Sequence, residues 1–403
     1  MKILHCCLSG CYNDNYNYQE NFLSRQNKLD GHEVMIIAST EVFKDNNQLG
    51  YCEPEEYINN DGIKVVRVPY KKIINHRISS KIRAYVGVYE VIDEFEPNVI
   101  LFHGIGAWEL NNVVKYVKNH PQTKLYVDTH ASYQNSATNI ISKYLLHKML
   151  YKSIIKKAIP YLQKILCIAI MEKRFAHEMY NIPEEVLELY PLGGDVIEDL
   201  EYEKIREEER KKLGLTDENI LFVHSGKFVK GNIKEGEFTN DIEAEELSKY
   251  HCGKRTCELL RSFETVKNDK FKLIIAGSFA PDLQDEAMEL IKKDSRIEYV
   301  GWKSGAELLA ILCAADVYLQ PGIQSATLQN SMCLRCAVMA RPYSTYKYLI
   351  GDGAWFVLDE NDMHNVFEEI SNDSNIVEAK RRIAFNQAKE LLDYKLLAAR
   401  LYS

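Results

Sequence analysis

Apolar strands and amphipathic helices alternate along the first half of the sequence, and this alternation restricts the fold more than any other feature. The runs KILHCCL, HEVMIIAST, GIKVVRVPY, NVILFHG, KLYVDTHA and KILCIAI predict strands, and helical stretches such as YQENFLSRQNKLDG separate them. Strands that alternate with helices form βαβ units, in which a parallel sheet is covered by helices on both faces. Residues 1–195 are therefore predicted to form one doubly wound α/β domain.

The alternation restarts after a charged helix, IEDLEYEKIREEERKKLGL. Four further strands follow it, NILFVHSG, FKLIIAGS, IEYVG and ADVYLQP, and a chain of 403 residues is long enough for two domains. We predict a second Rossmann-like doubly wound parallel-sheet domain at 196–385, with a polar insertion at 229–253. A last helix at 386–403 is expected to pack back toward the N-terminal domain.

Composition and cysteine usage restrict the environment of the protein. Apolar residues make up 46% and charged residues 27% of the chain, which is typical of a globular protein. No apolar run approaches the 18 residues of a membrane span, and the start MKILHCCLSGCYND lacks the apolar core of a signal peptide. Ten scattered cysteines, with one C-x-x-C at Cys333 and Cys336, indicate buried thiols rather than a zinc site. We expect a cytoplasmic protein.

Charge is unevenly distributed along the chain. Basic and acidic residues balance in 1–195, so the net charge of −8 comes from the remainder. No acid occurs between Asp128 and Glu172, whereas that window holds six lysines, which favours a partner that bears phosphate. The basic helix at 142–164 is either an ordinary surface helix packed on the core or an interfacial helix on anionic lipid. In the second case the protein would be peripheral on the inner face of the membrane.

Several familiar motifs are incomplete in this sequence. The run HGIGAWE has Glu109 where a dinucleotide fingerprint needs its third glycine, and CGKRT lacks the upstream glycine of a P-loop because Ser248 stands there. The sequence contains no G-x-S-x-G, HExxH or EF-hand pattern. We therefore expect no hydride-transfer cofactor, no metal and no nucleic-acid partner.

The stretch ADVYLQPGIQSATLQNSMC predicts a ligand site. It reads as a strand, a loop that begins at Pro321 and Gly322, and a helix from about Ala326. Open α/β sheets bind ligands at such loops, because the helix N-terminus presents unpaired N–H groups and a positive dipole. The loop offers Gln324, Ser325, Thr327 and Gln329 and contains no acid.

Several segments, in order, resemble a known enzyme family. They are LDGHEVMIIAST, FEPNVILFHG, YNIPEEVLELYPLGGDV, FVHSGKF, FKLIIAGS and IEYVGWKSGAELLAILCAADVYLQPG. Together they resemble the GT-B glycosyltransferases, most closely the retaining glycosyltransferase family 4, over roughly residues 1–360. The resemblance implies two Rossmann-like domains facing a cleft. A nucleotide-sugar, UDP- or GDP-linked, would bind the C-terminal domain and the acceptor the N-terminal domain.

The resemblance also implies roles for basic residues and histidines. Lys227, after Gly226, stands where the family has the first of two cations that neutralise the donor diphosphate. Lys254 is the second candidate, with Lys230 as its competitor. Two ammonium groups can hold a pyrophosphate and stabilise it as it leaves. His130 stands where the family has a histidine that faces the donor sugar, and His103 is a weaker candidate.

The N-terminal loop 9–21 corresponds to the family's loop over diphosphate and acceptor. The family's glycine pair is absent, and asparagines and aspartate also form ordinary turns. The residues proposed for this loop are Gly10, Asn13, Asp14, Asn15, Tyr16, Tyr18 and Gln19.

The glutamine loop departs most from the family pattern. Gln329 occupies the position of the family's second glutamate, which binds ribose hydroxyls, and a glutamine carbonyl can also accept those hydrogen bonds. Pro321 falls at the first glutamate, which leaves Gln324 as the nearest substitute for a ligand of the sugar. Ser325 and the N–H groups of 325–327, including those of Ala326 and Thr327, would add hydrogen bonds.

These expectations converge on a retaining glycosyltransferase that moves a sugar from a nucleotide-diphosphate donor to a glycan or lipid-linked glycan acceptor, of the kind found in cell-surface polysaccharides. The missing glutamates motivate an alternative, a non-catalytic GT-B protein that binds glycans or serves as a subunit of a partner transferase. A nucleotide-sugar epimerase of the same two-domain shape would need an acidic cluster for proton transfer, which the sequence does not offer.

Overall fold

The protein divides into two compact units. The structure is a computed structural model that describes residues 1–14, 16, 18–44, 48–73, 75–231 and 252–402. The N-terminal unit comprises Met1–Pro191 together with Tyr394–Ser403, and the C-terminal unit comprises Leu192–Asp393. Each unit is built around its own sheet.

The sheet of the N-terminal unit has eight strands in the order β10-β9-β8-β7-β1-β2-β6-β5. All neighbours are parallel except β5 and β6. A separate antiparallel pair, β3 with β4, lies outside it. The strands are β1 Lys2–Cys7, β2 Glu33–Ser39, β3 Glu41–Phe43, β4 Leu49–Tyr51, β5 Glu56–Ile58, β6 Lys64–Val68, β7 Val99–Phe102, β8 Lys124–Thr129, β9 Lys164–Cys167 and β10 Leu187–Leu189.

Helices cover both faces of this sheet because its strands bury apolar side chains on both sides. Leu4 and Cys6 of β1 enter one apolar cluster, whereas Ile3 enters another. The helices are α1 Gln19–Leu29, α2 His76–Ile82, α3 Val88–Phe95, α4 Leu110–Asn119, α5 Lys152–Ala158 and α6 Ile170–Tyr180, and short 3₁₀ turns lie at Ile159–Tyr161 and Glu184–Val186. A π-helical segment, Ser142–Tyr151, runs directly into α5.

The C-terminal unit repeats the plan with six parallel strands in the order β13-β12-β11-β14-β15-β16. The strands are β11 Ile220–Phe228, β12 Phe271–Phe279, β13 Ile297–Gly301, β14 Val317–Gln320, β15 Ala337–Ala340 and β16 Ala354–Phe356. The helices are α7 Asp199–Lys212, α8 Thr256–Thr265, α9 Pro281–Lys293, α10 Gly305–Ala314, α11 Ala326–Cys333, α12 Ser344–Ile350, α13 Glu360–Asn372 and α14 Asn375–Leu391, with a 3₁₀ turn at Gly351–Gly353.

Local sequence explains several of these boundaries. Ser304 and Glu307 form a reciprocal capping box at the start of α10, which satisfies N–H groups that have no helical partner. The predicted helix start at Ala326 is confirmed, because the side chain of Ser325 caps α11 by accepting from the Thr327 N–H.

The last helix, α15 Tyr394–Ala399, belongs to the N-terminal unit. Tyr394 and Leu397 pack with Ile3 and Leu23 in one apolar cluster, and the Tyr190 hydroxyl donates to the Leu397 carbonyl over 2.5 Å. Residues 386–391 belong to α14 and hence to the C-terminal unit, so the stretch expected as one final helix is shared between two.

The predicted insertion at 229–253 lies mostly outside the described residues. Its ends meet, because Lys230 pairs with Gly253 in an antiparallel bridge. Residues 232–251 are not described.

Each sheet has one position at which the strand order reverses, so that later strands are added on the other side of the first strand. In the N-terminal unit β2 and β6 lie on one side of β1, and β7 lies on the other. In the C-terminal unit β12 and β13 lie on one side of β11, and β14 lies on the other. Ligands of open α/β sheets bind outside the carboxyl ends of the strands at these topological switch points, so β1/β7 and β11/β14 are where a site is expected.

Candidate functional site

Lys254 lies at the switch point of the C-terminal unit. Its side chain is 7% exposed, and its Nζ donates to Gln320 Oε1 over 3.2 Å at the end of β14. Burial lowers the pKa of this ammonium group to about 8, because the charged form loses its hydration. Within the described part of the chain, the amide oxygen of Gln320 is the hydrogen-bond partner of this cation, and no carboxylate pairs with it.

Gly226 allows this lysine to sit against β11. Its backbone φ of +127° disfavours other residues, and a Cβ at this position would lie 3.2 Å from Lys254 Nζ. The glycine therefore leaves room for the ammonium group and brings the strand backbone close to it.

The backbone around Lys254 is fixed by close contacts between two loops. Gly253 adopts a φ of +63°, and its carbonyl accepts from the Ile323 N–H over 2.8 Å. A Cβ on Gly322 would lie 2.1 Å from that carbonyl oxygen, so the loop after β14 packs directly on the segment before α8. These contacts join the glutamine loop to the buried lysine.

A neutral histidine supports the same region from below. The Nδ1–H of His224 donates to the Leu319 carbonyl over 2.7 Å, which leaves Nε2 to accept from Thr256 Oγ1 over 3.0 Å. Burial, and then the positive charge of Lys254, lower the pKa of His224 to about 3. His224 therefore stays uncharged and contributes no second positive charge.

Gln320 is a further site residue. The sequence analysis predicted Gln324 in this loop and did not predict Gln320. Its Oε1 accepts from Lys254 and lies 3.4 Å from the Tyr318 hydroxyl, which in turn lies 3.0 Å from Ser225 Oγ. Its Nε2 donates to the Ile323 carbonyl. A fully buried amide that ends an otherwise apolar strand, VYLQ, was the signal that could have identified it.

The two other predicted lysines of this unit are exposed. Lys227 lies on β11 opposite Ser278 of β12, one residue after Gly226, and Lys230 lies two residues beyond the end of β11. Neither side chain has a hydrogen bond or ion pair within the described part of the chain. The structure thus brings Gly226 and Lys254 into contact, and of the three candidate lysines it buries only Lys254.

The glutamine loop leads into α11 with a well-defined start. The Ser325 N–H donates to the Tyr346 hydroxyl over 2.6 Å, and Ser325 Oγ accepts from the Thr327 N–H over 3.3 Å. Gln324 is half-buried, and its amide makes no hydrogen bond to the residues that the structure describes, whereas Ala326 is exposed.

Gln329 is buried, and its carbonyl is already used. Gln329 Oε1 accepts from the Gly193 N–H over 3.1 Å, within the same unit. The sequence analysis predicts instead that this oxygen accepts a hydrogen bond from a ribose hydroxyl. The amide N–H groups of Gln329 are the part of the side chain that has no hydrogen bond among the described residues.

The switch point of the N-terminal unit is closed by a serine and a glycine. Ser9, just after β1, donates through Oγ to the Gly104 carbonyl after β7 over 2.8 Å. Gly104 has a φ of +91°, and a Cβ there would lie 2.6 Å from Ser9 Cβ. The strand ends approach closely because residue 104 has no side chain.

A buried chain of polar groups crosses the sheet beneath this point. His5 Nε2 contacts Asn27 Oδ1 at 2.8 Å, His5 Nδ1 contacts His103 Nε2 at 3.0 Å, and His103 Nδ1 contacts Asp128 Oδ2 at 2.5 Å. The sequence reading missed Asp128 and His5, although an acid and a histidine inside the apolar strands KLYVDT and KILHCC were visible signals.

The pKa shifts indicate that this buried row of polar groups contains an ion pair beside a neutral histidine. Burial alone would lower the pKa of His103, but the Asp128 carboxylate outweighs it and raises that pKa. Burial alone would raise the pKa of Asp128, but His103 outweighs it and the pKa is lowered. Burial, and then the charge of His103, lower the pKa of His5 to about 3. Both ring nitrogens of His103 are engaged, so it supports the site from within.

His130 is the exposed end of this arrangement. Its side chain is 43% exposed, and its Nε2 lies 3.8 Å from Asp128 Oδ1. The Asn135 side chain donates to the His130 carbonyl over 2.8 Å, which anchors the turn after β8. His130 lines a cavity of about 780 Å³ at the carboxyl ends of β1, β7 and β8.

The N-terminal loop uses its first polar side chains to hold its own conformation. The Asn13 amide donates to the Phe43 carbonyl and accepts from the Phe43 N–H, each over 2.8 Å. Asp14 accepts from the Tyr57 hydroxyl over 2.5 Å. Gly10 has open space where a Cβ would stand.

The remainder of that loop is aromatic or buried. Tyr16 packs against Tyr18, with 5.3 Å between ring centroids. Gln19 is buried and donates through Nε2 to the Pro191 carbonyl over 2.9 Å. Asn15 lies outside the described residues. A ligand role for this loop stays a prediction.

The predicted basic helix begins as a π-helical segment and continues as α5. A π-helix closes its hydrogen bonds one residue later than an α-helix. Ile154 and Ala158 are buried in the core. Lys148 and Lys156 are exposed, and Lys152 donates to Asn181 Oδ1 over 2.6 Å. A second face presents large apolar side chains to solvent, namely Ile140, Ile141, Tyr144, Leu145 and Met149.

Metal-ligand clusters and membrane-spanning helices are both absent from the described part of the chain. Among those residues no group of three or more His, Cys, Asp or Glu side chains could hold a metal ion. Within the same residues no helix combines the length and apolar character needed to cross a bilayer.

Comparison with known proteins identifies the fold. No family model and no curated protein matches the sequence. The structure of WaaG, a glycosyltransferase involved in lipopolysaccharide biosynthesis, matches with a TM-score of 0.59 and 14% identity over 100% of both chains. HepE from Anabaena in complex with UDP-glucose matches with a TM-score of 0.57 and 12% identity, over 100% of this chain and 98% of that one.

A third match comes from a protein with a different activity in its description. A putative UDP-N-acetylglucosamine 2-epimerase from Listeria monocytogenes matches with a TM-score of 0.54 and 10% identity, over 99% of this chain and 94% of that one. At these identities the likeness shows the fold. The chain is an α/β protein of the GT-B fold, with two Rossmann-like parallel-sheet units, as the sequence predicted.

Proposed function

We propose that the protein is a glycosyltransferase that moves a sugar from a nucleotide-diphosphate-sugar to a glycan or lipid-linked glycan. The observation that carries this proposal is the buried Lys254, held against Gly226 at the switch point of the C-terminal unit. A dehydrated ammonium group suits a diphosphate better than a neutral ligand. The UDP-glucose complex of HepE, which has the same fold, agrees with a nucleotide-sugar donor.

In this proposal the donor is bound by two lysines and the glutamine loop. Lys254 and the exposed Lys227 neutralise the diphosphate, which removes the need for a metal ion, and Gln324 binds the sugar. Ser325, Ala326 and Thr327 supply hydrogen bonds from the start of α11. Gln329 contacts the ribose through its N–H groups, because its carbonyl accepts from Gly193.

We propose retention of configuration at the sugar, on the basis of the resemblance to family 4. The bond between the anomeric carbon and the diphosphate oxygen breaks, and the acceptor oxygen forms its bond on the same face. The departing phosphate oxygen takes the acceptor proton, so no separate base is required. His130 orients the sugar, and Asp128 positions His130 from 3.8 Å below.

The acceptor is assigned to the N-terminal unit. Lys143, Lys148 and Lys156 accompany the exposed apolar side chains at 140–149, and this mixture suits the surface of an anionic membrane. WaaG, which has the same fold, is described as acting in lipopolysaccharide biosynthesis. A cytoplasmic enzyme that associates peripherally with the inner face of the membrane follows from this assignment.

Release of nucleoside diphosphate by the purified protein tests the proposal. UDP-, GDP- and ADP-sugars are supplied with and without membrane extract, and the nucleotide released is measured. Lys227→Ala should slow release by about tenfold or more, because it removes a charge from the leaving group. Lys230→Ala is the matched control, since that lysine is also exposed. Equal rates for wild type and Lys227→Ala would overturn the assignment of the site.

One observation favours a second function. Neither family glutamate is present, since Pro321 and Gln329 stand at those positions, and a GT-B protein without them could bind glycans or assist a partner transferase. In that case nucleotide-sugars would bind weakly or not at all, while oligosaccharides would bind the N-terminal unit. A comparison of the two affinities by calorimetry separates the two functions.

A further inference from the structure

The cavity beside His130 has a one-sided charge. Its volume is about 780 Å³, within the range of small-molecule sites, and its lining includes Lys81, Arg83 and His130 but no carboxylate. At the strand ends the cavity is lined by Ser9, Gly104 and Gly106, which have a small side chain or none. A concave site with cations and no acid in its wall attracts anions.

Arg83 occupies a conformation that arginine adopts at a cost. It ends α2 with a φ of +55° and a ψ of +57°, and its N–H donates to the Ser79 carbonyl over 2.9 Å. Glycine or asparagine ends helices in this way more cheaply. The surrounding structure therefore holds the backbone of Arg83 in this conformation.

The guanidinium group of Arg83 is only partly satisfied. Its Nη1 donates to the Gly106 carbonyl over 3.3 Å, which holds the side chain against the wall of the cavity. Its Nε is buried and has no hydrogen-bond partner among the described residues. A buried N–H without a partner is unfavourable, so the guanidinium group has hydrogen-bonding capacity that the described residues do not use.

The charge beneath the cavity does not oppose an anion. Asp128 lies under His130, but its carboxylate pairs with His103 and accepts from the Gly104 N–H over 2.8 Å. The N–H groups of Ile105 and Gly106, which also line the cavity, donate to no group in the described part of the chain. Lys81 and Arg83 therefore dominate the local field.

Apolar surface continues outward from the cavity. Ile141 and Leu146 line it, and Ile141 is also largely exposed. Next to them in sequence, Ile140 is 77% exposed and Met149 is 64% exposed. Large apolar side chains that remain in solvent along one segment mark a surface for an apolar partner. A ligand that fits both features carries a phosphate on an apolar chain.

We propose that this cavity binds the phosphate group of a lipid-linked acceptor, with Arg83 and Lys81 as its ligands and the apolar surface at 140–149 contacting the lipid. This inference rests on the proposed function, because only a transferase has an acceptor. It extends that function by naming the chemical class of the acceptor. The phosphate is a recognition element, and a sugar hydroxyl of the acceptor forms the new bond.

Binding of octyl phosphate to the full chain tests the inference without turnover. The Lys227→Met/Lys254→Met variant serves as the background, so that the donor site does not take up the probe. We expect saturable binding of octyl phosphate, weakened about tenfold by Lys81→Gln and by Arg83→Gln. Lys118→Gln is the matched control and should leave the affinity unchanged, because Lys118 is exposed and absent from the cavity lining.

Two further probes identify the source of the phosphate. Inorganic phosphate should bind at least tenfold more weakly than octyl phosphate, and octanol should bind weakly or not at all. Leu145→Ser/Met149→Ser should weaken octyl phosphate and leave inorganic phosphate unaffected. Equal affinities for octyl phosphate and inorganic phosphate would overturn the lipid assignment, and no effect of Lys81→Gln or of Arg83→Gln would overturn the site.

The outcomes separate this inference from the proposed function. If nucleoside diphosphate release occurs and octyl phosphate binding does not depend on Lys81 or Arg83, the inference fails and the proposed function stands. If octyl phosphate binds through Lys81 and Arg83 but no nucleotide-sugar is turned over, the proposed function fails. Arg83→Lys keeps the charge, so thermal melting of both Arg83 variants shows whether a loss of binding reflects unfolding.

Discussion

The two units place opposite kinds of polar groups at equivalent points of similar sheets. At the β11/β14 switch point the C-terminal unit buries one cation, Lys254, among neutral amides and hydroxyls. At the β1/β7 switch point the N-terminal unit buries an ion pair, His103 with Asp128, and places its unpaired cations at the wall of a cavity. Among the described residues no carboxylate pairs with the buried cation of the first arrangement, whereas the buried pair of the second is internally neutral.

This difference teaches how one architecture serves two ligands. A buried unpaired charge costs stability, so it is retained where a ligand neutralises it. A buried ion pair costs less, and here it lies beneath an exposed side chain, because Asp128 Oδ1 is 3.8 Å from His130 Nε2. We therefore expect the buried cation of the C-terminal unit to contact its ligand directly, and the buried ion pair of the N-terminal unit to support a cavity whose wall residues contact the ligand.

Replacement of Lys254 gives the largest expected effect on activity. Lys254→Met should lower the rate of nucleoside diphosphate release by about 100- to 1,000-fold, because it removes the charge that stabilises the leaving group. Its melting temperature should stay equal or rise, since methionine fills the same space without a buried charge. Lys230→Met serves as the control and should change the rate less than twofold. A Lys254→Met enzyme with normal turnover would contradict the assignment.

Replacement of Asp128 tests the internal neutrality of the other switch point. Asp128→Asn should lower the free energy of unfolding by about 3 kcal/mol, because protonated His103 loses its buried partner. Urea denaturation followed by circular dichroism measures this. His103→Gln in the same background should recover part of the loss, whereas purely additive effects would show that the two groups are not coupled.

The sign of the shifts predicts where this loss is largest. The raised pKa of His103 gives stability that is present below about pH 6.5 and lost as pH rises through the raised value. The lowered pKa of Asp128 gives stability that is present above about pH 4 and lost as pH falls through the lowered value. The difference between wild type and Asp128→Asn should therefore peak between about pH 4 and pH 6.5.

The pKa of Lys254 predicts a pH dependence for the donor. The free protein loses the Lys254 proton around pH 8, whereas a bound diphosphate keeps the group charged. The affinity for UDP should therefore fall by about fivefold between pH 8 and pH 9, and the fall should be absent in Lys254→Arg. Calorimetry in buffers of different ionisation enthalpy should also show proton uptake on binding. A flat profile would place the diphosphate elsewhere.

Gln324 gives the smallest expected effect. Gln324→Ala should weaken nucleotide-sugar binding by about fivefold, the equivalent of ~1 kcal/mol for one neutral hydrogen bond. UDP itself should bind unchanged, because the proposed contact is with the sugar. Gln320→Met offers the contrast, since Gln320 contacts Lys254 and should affect UDP and UDP-sugar alike. An equal loss for both ligands in Gln324→Ala would remove its role as a sugar ligand.

The sequence predicted the fold well because strand and helix periodicities are local properties. Apolar runs such as VILF and the cap at Ser325 act within a few residues, and the strands and the start of α11 are where they were expected. Contacts between distant segments are a different matter. The approach of Gly322 to the backbone of Gly253 depends on sheet topology, which is not visible in either segment alone.

The site was predicted less completely for the same reason. The family resemblance predicted Lys254 as the second cation after Lys227. Its partner Gln320 was not predicted, because that contact joins residues 66 positions apart. In the sequence, Asp128 marks only the start of the segment without acidic residues. Its pairing with His103 was not predicted, because that contact links the ends of two strands. The face formed by Tyr144, Leu145 and Met149 was not predicted, because a sequence pattern does not show which apolar side chains of a helix remain exposed to solvent.

Hydrogen exchange with and without UDP-glucose tests the central claim most directly, because it locates the donor without relying on activity. The account predicts that bound donor slows exchange in peptides that cover 225–229, 252–256 and 321–329, and that Lys254→Met abolishes this protection. Protection confined to the N-terminal unit, or unchanged protection in Lys254→Met, would contradict the assignment of the donor site to the C-terminal switch point.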